Sequence, residues 1–416
     1  MATIRILEAA QAGRLLKRKA ARLEEAEGIV RPILEDVRKR GDKALLEYAR
    51  KFDGLERKSV AVPAAEREAA SKRLSKDFRK AVKTASANIR AFAKMQLPQE
   101  RSEVVAPGIR LGQVVRPLDT VAAYIPSGRY PLPSTLLMTA IPAQVAGVPN
   151  ICAATPRVVD EIFGTAHLLG LPHLFQMGGA HAIAAFAFGT KTVPRADRIV
   201  GPGNIYVAAA KKILAGEVGI DFIAGPTEIL LIAEDGDPRL FAADMLAQAE
   251  HDTDASAILL TTSRSLAEAV SAEIEKQLET LPTAATARVA IDKNSAILIV
   301  DSIDQAVELS NEFAPEHLSI PHRSLLKKIR HAGSVFIGTY SPEAGGDYAS
   351  GPNHVLPTNG AARQRGGLSA ADFVKVISVQ ELSRDGLRSI LPAVSTLARA
   401  EGLEAHARSA EVRFDA

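Results

Sequence analysis

From about residue 110 the chain alternates short apolar runs with helical stretches, and this alternation limits its fold more than any other feature. "LGQVVRPLDTVAAYIP" is strand-like, "STLLMTAIPAQVAGV" has helical spacing, and "NICAATP" is a short buried strand. The helix "VVDEIFGTAHLLG", the strand "HLFQMG", the helix "AHAIAAFAFGT" and the strand "RIVGPG" follow. After "IDFIAGPTEILLIAED" come the helix "PRLFAADMLAQAE", the strand "SAILLTTS", the helix "SLAEAVSAEIEKQLETL" and the strand "AILIVDS". A second α/β set is therefore expected from about 228 to 340. Strands this short, separated by helices, are βαβ units, which build parallel sheets. Residues 1 to about 95 read as helices, because apolar residues recur at three and four in "IVRPILEDVRKRGDKALLEYARKF" and "DFRKAVKTASANIRAFAKM". The tail from 370 reads as helical too. Between them, "SPEAGGDYASGPNHVLPTNGAARQRGGLS" (341–369) is Gly/Pro-rich and too long for a simple connector. Long ordered loops usually carry function.

With 416 residues, the chain can form two or more domains with a large core. Its 51 basic and 48 acidic residues leave a formal charge of +3, too balanced to point to nucleic acid. Tryptophan is absent and aromatics are few, so there is no platform on which bases would stack. The single cysteine, Cys152, excludes an internal disulfide and fits a reducing cytoplasm. The first twenty residues lack the pattern of a secretory signal, and no apolar run is long enough to span a membrane. A cytoplasmic location without membrane or nucleic-acid partners is the expectation.

The chemistry-bearing stretches are scattered. "NEFAPEHLSI" sets Glu316 beside His317 just after Pro315, where a helix must end. Alone, the pair reads first as an ordinary polar loop. No G-x-G-x-x-G follows any strand. "MGGAHAIAA" and "VGPGNIYVAAAKK" each lead from a strand into a helix, as a tight turn or as a seat for phosphate. "LAQAEHDTD" offers Gln248 and His251 on one helix face, "GGDYASGPNHVLP" offers Asp347 and His354, and "EGLEAHARS" offers Glu401 and His406. Cys152 sits in an apolar strand with no basic neighbour, so it reads as a structural thiol, and no nucleophile elbow occurs.

Taken together, "AAYIPSGRYPLPSTLLMTAIPAQVAGV", "GGAHAIAAFAFGT", "RIVGPGNIYV", "DFIAGPTEILLIAE", "LAQAEHDTDASAILLT", "NEFAPEHLSI", "GSVFIGTYSPEAGGDYASGPNHVLPT" and "GLEAH" resemble the histidinol dehydrogenase family in order and spacing over nearly the whole chain. The resemblance implies a homodimeric, zinc-dependent, NAD-linked enzyme of histidine biosynthesis. It would oxidise L-histidinol to L-histidine through the aldehyde with two NAD+. The family's zinc ligands fall on Gln248, His251, Asp347 and, from the partner subunit, His406, with one zinc per subunit. Its acid–base pair falls on Glu316 and His317. Further substrate contacts fall on Thr227, His354 and Glu401, the last also from across the interface, and cofactor contacts on Tyr124, His181 and Asn204. This chemistry suits the residues. A histidine can take the alcohol's proton, and a carboxylate can activate the water that must attack the aldehyde where no thiol is available.

Some positions depart from the family pattern. His181 stands where glutamine is usual in "GGAxAIAA", and Thr227 replaces serine in "AGPxE". "TNGAARQRGGLS" lacks an aromatic residue, and "PSG" replaces "PGG" in "IPSGRYPLPS". These changes keep open a paralogue that oxidises another small polar alcohol, such as a sulfonated diol. The expected fold is α/β, with two Rossmann-like parallel-sheet domains interleaved in sequence. The reading divides the chain into a helical arm over 1–20, a first domain over 21–122 and 228–370, a second over 123–227, and a C-terminal helical dimerisation piece over 371–416.

Overall fold

The computed structural model describes residues 4–14, 23–127 and 130–415. Its strands are β1 (Arg5–Glu8), β2 (Arg101–Ala106), β3 (Ile109–Pro117), β4 (Thr120–Tyr124), β5 (Asn150–Thr155), β6 (His173–Gln176), β7 (Arg198–Val200), β8 (Gly219–Ile220), β9 (Glu228–Ala233), β10 (Ser256–Thr261), β11 (Ala296–Ile299), β12 (His317–Ile320), β13 (Ser334–Ile337) and β14 (Val374–Leu382). Two compact units result: Met1–Gln96 with Leu118–Phe373, and Leu97–Pro117 with Val374–Ala416.

The larger unit contains two sheets whose paired strands all run parallel. One has the order β6-β5-β4-β7-β8, and the other β1-β11-β10-β9-β12-β13. Apart from β1 at the edge, each sheet starts in the middle, winds outward one way, then returns to wind the other. This is the order of doubly wound α/β sheets, and it opens a crevice where the winding reverses. The reversals lie between β4 and β7 and between β9 and β12. Strands here are buried on both faces, as β9 "EILLIA" shows with every residue buried, which is why they read as continuous apolar runs.

The helices before residue 96 pack against the helices of the five-stranded sheet. Helix Leu23–Arg40 packs on helices Gly179–Phe188 and Ile205–Leu214, Ala64–Arg73 packs on Asp160–Leu168, and Lys76–Met95 packs on Pro133–Ala146. These helices therefore cover the five-stranded sheet, within the same compact unit as 228–370. Val30, Leu34, Val37 and Leu45 share a core with Ala182, Ile183 and Phe186. An apolar stripe on an amphipathic helix states that it must be covered, but not by which sheet.

Two corrections concern the ends of the chain. Residues 5–8, expected within a helical arm, form β1 and extend the six-stranded sheet beside β11, followed by a 3-10 turn at Ala9–Arg14. The rest of that arm lies outside the described residues. Residues 374–382, expected as helix, form β14, which pairs antiparallel with β3, and β3 pairs antiparallel with β2. Helices Arg384–Ala400 and Glu404–Glu411 complete the smaller unit. Among the described residues no helix is long and apolar enough to cross a membrane.

Candidate active site

Helix Ile303–Phe313 stops at Ala314, whose φ is 51° and whose N–H is bonded to Ser310 O. Pro315 cannot extend the helix, and Glu316 then leads directly into β12, of which His317 is the first residue. Both side chains are buried. β12 pairs with β9 so that His317 faces Ile229, which brings Thr227 and Glu228 beside Glu316. Glu316 Oε2 accepts from the Thr227 hydroxyl at 2.5 Å and from the Glu228 N–H at 2.9 Å. His317 Nδ1 lies 3.2 Å from the Glu228 carbonyl oxygen. A carbonyl only accepts, so Nδ1 carries a proton and the neutral ring presents its lone pair at Nε2. Among the described residues Nε2 is buried without a hydrogen-bond partner, and Asp347 Oδ1 lies 3.5 Å away.

Carboxylates crowd this imidazole. Nδ1 is 3.6 Å from Glu316 and 3.7 Å from Glu343. Burial opposes charge on the ring, but Glu343, Glu316 and Asp347 outweigh it and hold the His317 pKa well above the ordinary histidine value. Burial raises Glu316 against the pull of His317, the Thr227 hydroxyl and the Glu228 N–H. Burial also pushes Glu343 up to about 8. His317 opposes that shift, while Asp347, Glu316 and Asp244 add to it. Burial raises Asp347, but the His317 ring beside it outweighs burial and holds it below the usual carboxylate range.

Gln248 is fully buried in the last turn of helix Pro238–Ala249. Thr227 has one hydroxyl proton, which goes to Glu316, so Gln248 Nε2 is the group that donates to Thr227, at 2.6 Å. The amide oxygen is then left facing Glu343, with 2.5 and 3.0 Å to its two carboxylate oxygens. Turning the amide over would give Glu343 a donor but ask one Thr227 proton to serve two acceptors. His251, Glu343 and Asp347 offer ligand atoms that all lie within 4.8 Å of one another. Acceptors thus converge on a small volume, which a cation or bound protons would stabilise. One imidazole with carboxylate and amide oxygens is a donor set that suits zinc.

Of the residues marked in the sequence, Thr227, Gln248, His251, Glu316, His317 and Asp347 therefore meet in one place. His354 is beside them: its Nδ1 lies 2.8 Å from Asp347 O and its Nε2 3.1 Å from Thr135 Oγ1. Burial lowers its pKa, against the pull of Asp347. Glu401 and His406 belong to the smaller unit and are exposed there. Glu343 escaped the sequence reading. Its signal was its place four residues before Asp347 behind Pro342, the spacing that puts both carboxylates on one face of the short helix Glu343–Tyr348.

The three residues expected at a cofactor follow the carboxyl ends of strands of the five-stranded sheet, Tyr124 and Asn204 on either side of its reversal and His181 after β6. Tyr124 ends β4, and its hydroxyl accepts from the Gly179 N–H at 3.2 Å. Burial pushes its pKa up to about 12, against the Gly179 hydrogen bond and with help from Asp53. Asn204 caps helix Ile205–Leu214 by accepting from the N–H groups of Tyr206 and Val207, and is itself exposed. His181 is buried, with Nε2 2.7 Å from Asp53 Oδ2. The turn before Asn204 is held by a buried ion pair. Lys211 Nζ donates to Gly201 O at 2.6 Å and to Asp221 Oδ1 at 2.7 Å, while the Gly201 N–H donates to Asp221 Oδ2 at 2.7 Å. Cys152, buried between β4 and β6, has its thiol pushed up to about 12 by burial and lacks the ionisation a nucleophile needs.

A family model for histidinol dehydrogenase matches residues 16–414. A histidinol dehydrogenase of Bacillus thuringiensis subsp. konkukian is 45% identical over 410 residues, covering 96% of each chain. One from Methanothermobacter thermautotrophicus is 44% identical over 404 residues, covering 95% of each. The crystal structure of histidinol dehydrogenase from Elizabethkingia anophelis superposes with a TM-score of 0.96 at 37% identity, over 100% of this chain and 99% of that one. An acetylating aldehyde dehydrogenase from Geobacillus thermoglucosidasius shares the fold more distantly, with a TM-score of 0.50 at 14% identity over 90% of this chain and 94% of that one. The motifs that converge at β9 and β12 thus belong to a likeness running the length of the molecule, and the chain belongs to the histidinol dehydrogenase family.

Proposed function

We propose that the protein oxidises L-histidinol to L-histidine through the aldehyde, in two NAD+-linked steps at the site built on Glu316 and His317. The observation that carries this reading is the buried Glu316–His317 pair, with Nε2 making no hydrogen bond to a described residue, set against the cluster of Gln248, His251, Glu343 and Asp347. Zinc, one per subunit, would be held by Gln248, His251, Asp347 and His406 of the partner subunit. When bound, zinc orients the substrate's nitrogens and NAD+ accepts a hydride in each oxidation. His317 Nε2 takes the alcohol proton as the first hydride leaves, giving the aldehyde. The ring accepts at Nε2 once the charge of its neighbouring carboxylates is neutralised. Glu316 then takes a proton from the water that adds to the aldehyde, and loss of the second hydride gives the acid. In all, one alcohol, one water and two NAD+ become one carboxylate, two NADH and three protons. Thr227 and His354 contact the substrate, with the partner's Glu401. Tyr124, His181 and Asn204 serve NAD+, as contacts or as supports for its turns. The C-terminal segment from about 371 forms the dimer contact, and the enzyme works in the cytoplasm.

Counting NADH against L-histidinol consumed, with zinc-loaded protein, tests this reading. Two NADH per histidinol is the expected result. No NADH, from protein that holds zinc and binds NAD+, would overturn the substrate and point to another primary alcohol. Stripping the metal with a chelator should abolish histidinol binding while leaving NAD+ binding intact.

A further inference from the structure

The turn Met177–Gly178–Gly179 joins β6 to helix Gly179–Phe188 at the carboxyl end of the five-stranded sheet, beside Tyr124. The N–H groups at the start of such a helix normally invite an anion. Here they are already engaged. The Gly178 N–H donates to Asp53 Oδ2 at 2.9 Å, and the Gly179 N–H donates to the Tyr124 hydroxyl at 3.2 Å. The same Asp53 oxygen accepts from His181 Nε2 at 2.7 Å, with the Asp53 and His181 side chains only 5% and 2% exposed. Asp53 is the last residue of helix Asp42–Asp53, more than a hundred positions earlier in the chain. Its carboxylate thus fills, from inside the protein, the place where an anion would otherwise sit. Tyr48 and Phe52, from the same helix, lie against the His181 ring with centroids 5.9 and 6.1 Å away. Gly178 leaves no slack, because a Cβ there would come within 2.6 Å of Pro156 Cβ and 2.9 Å of Asp53 Oδ1.

We infer that Asp53 and His181 form a buried positioning pair for the dinucleotide cofactor, fixing the Gly178–Gly179 turn and the Tyr124 hydroxyl without touching the cofactor. Resting on the NAD+-linked reading above, this deepens it: the turn presents a finished surface, and the cofactor's phosphates are met elsewhere. Histidine at 181 suits this role because its ring donates to Asp53 while resting against the stacked pair Tyr48 and Phe52.

The test uses the zinc-loaded enzyme and compares Asp53→Ala, Asp53→Asn and His181→Leu. Asparagine keeps an acceptor for both donors, whereas alanine keeps none. Asp53→Ala should raise KM for NAD+ about tenfold or more, with kcat and KM for histidinol changed less than about twofold and zinc content unchanged. Asp53→Asn should return KM for NAD+ to within about threefold of wild type, and His181→Leu should fall between the two. His181→Leu carries the test if Asp53→Ala does not fold. Wild-type affinity for NAD+ in a folded Asp53→Ala or His181→Leu protein would overturn the pair alone. So would a parallel loss of zinc, histidinol and NAD+ binding, which marks a merely structural role. Failure of the wild-type enzyme itself to bind NAD+ would overturn both this inference and the function it rests on.

Discussion

Glu316 holds two donors, the Thr227 hydroxyl and the Glu228 N–H, on a single oxygen. Glutamine can keep both through its amide oxygen, so Glu316→Gln should fold and bind zinc but lose its base. We expect the aldehyde step to slow by about 10²–10⁴-fold, so that close to one NADH forms rapidly per histidinol as the aldehyde accumulates. A rapid burst of two NADH in that variant would refute the assignment. Asp244 makes a different case. Burial raises its pKa from the usual 3.8 to about 6. The folded state therefore holds this proton more tightly than the unfolded one, and its contribution to stability is lost as pH rises from about 4 to 6. In metal-free protein, Asp244→Asn should add about 1–2 kcal/mol at pH 8 and nothing below pH 4, read from urea midpoints. The residues of the site were legible wherever donor types recur at helix or loop spacing, as in Gln248 with His251. Asp53, Lys211 and Asp221 were not, because a buried charge is given its partner by the fold rather than by its neighbours in sequence.

At the scale of elements, the two parallel sheets were legible because strands covered on both faces read as apolar runs between helices. β14 was missed although "VKVISVQEL" is rich in β-branched residues, since it is exposed along most of its length and has no buried face to set a pattern. The N-terminal helices were visible as helices, but their choice of sheet was not. The turn before Asn204 shows how an element end can be set by one residue. Gly201 has a φ of 105°, and a Cβ there would lie 2.3 Å from Tyr124 O. Gly201→Ala should therefore lower stability by about 2–4 kcal/mol and weaken NAD+ binding before histidinol binding, measured by urea unfolding and by titration with NAD+.

The whole molecule is a pair of subunits if the partner's His406 completes each zinc site, and that can be tested by mixing. Subunits carrying Glu316→Gln and subunits carrying His406→Asn should each be nearly inactive alone. Refolded together in equal amounts, half the dimers should be hybrids with one intact site, giving about a quarter of wild-type activity. No recovery in confirmed hybrids would show that each chain completes its own site. Cys152 has a different use at this scale. It is the only thiol, it is fully buried, and its strand is hydrogen-bonded on both sides. A thiol reagent in solution can reach it only when the middle of the five-stranded sheet comes apart. The rate of labelling under native conditions therefore clocks that opening, and its slowing by NAD+ would read out in time how firmly the cofactor holds this half of the protein closed.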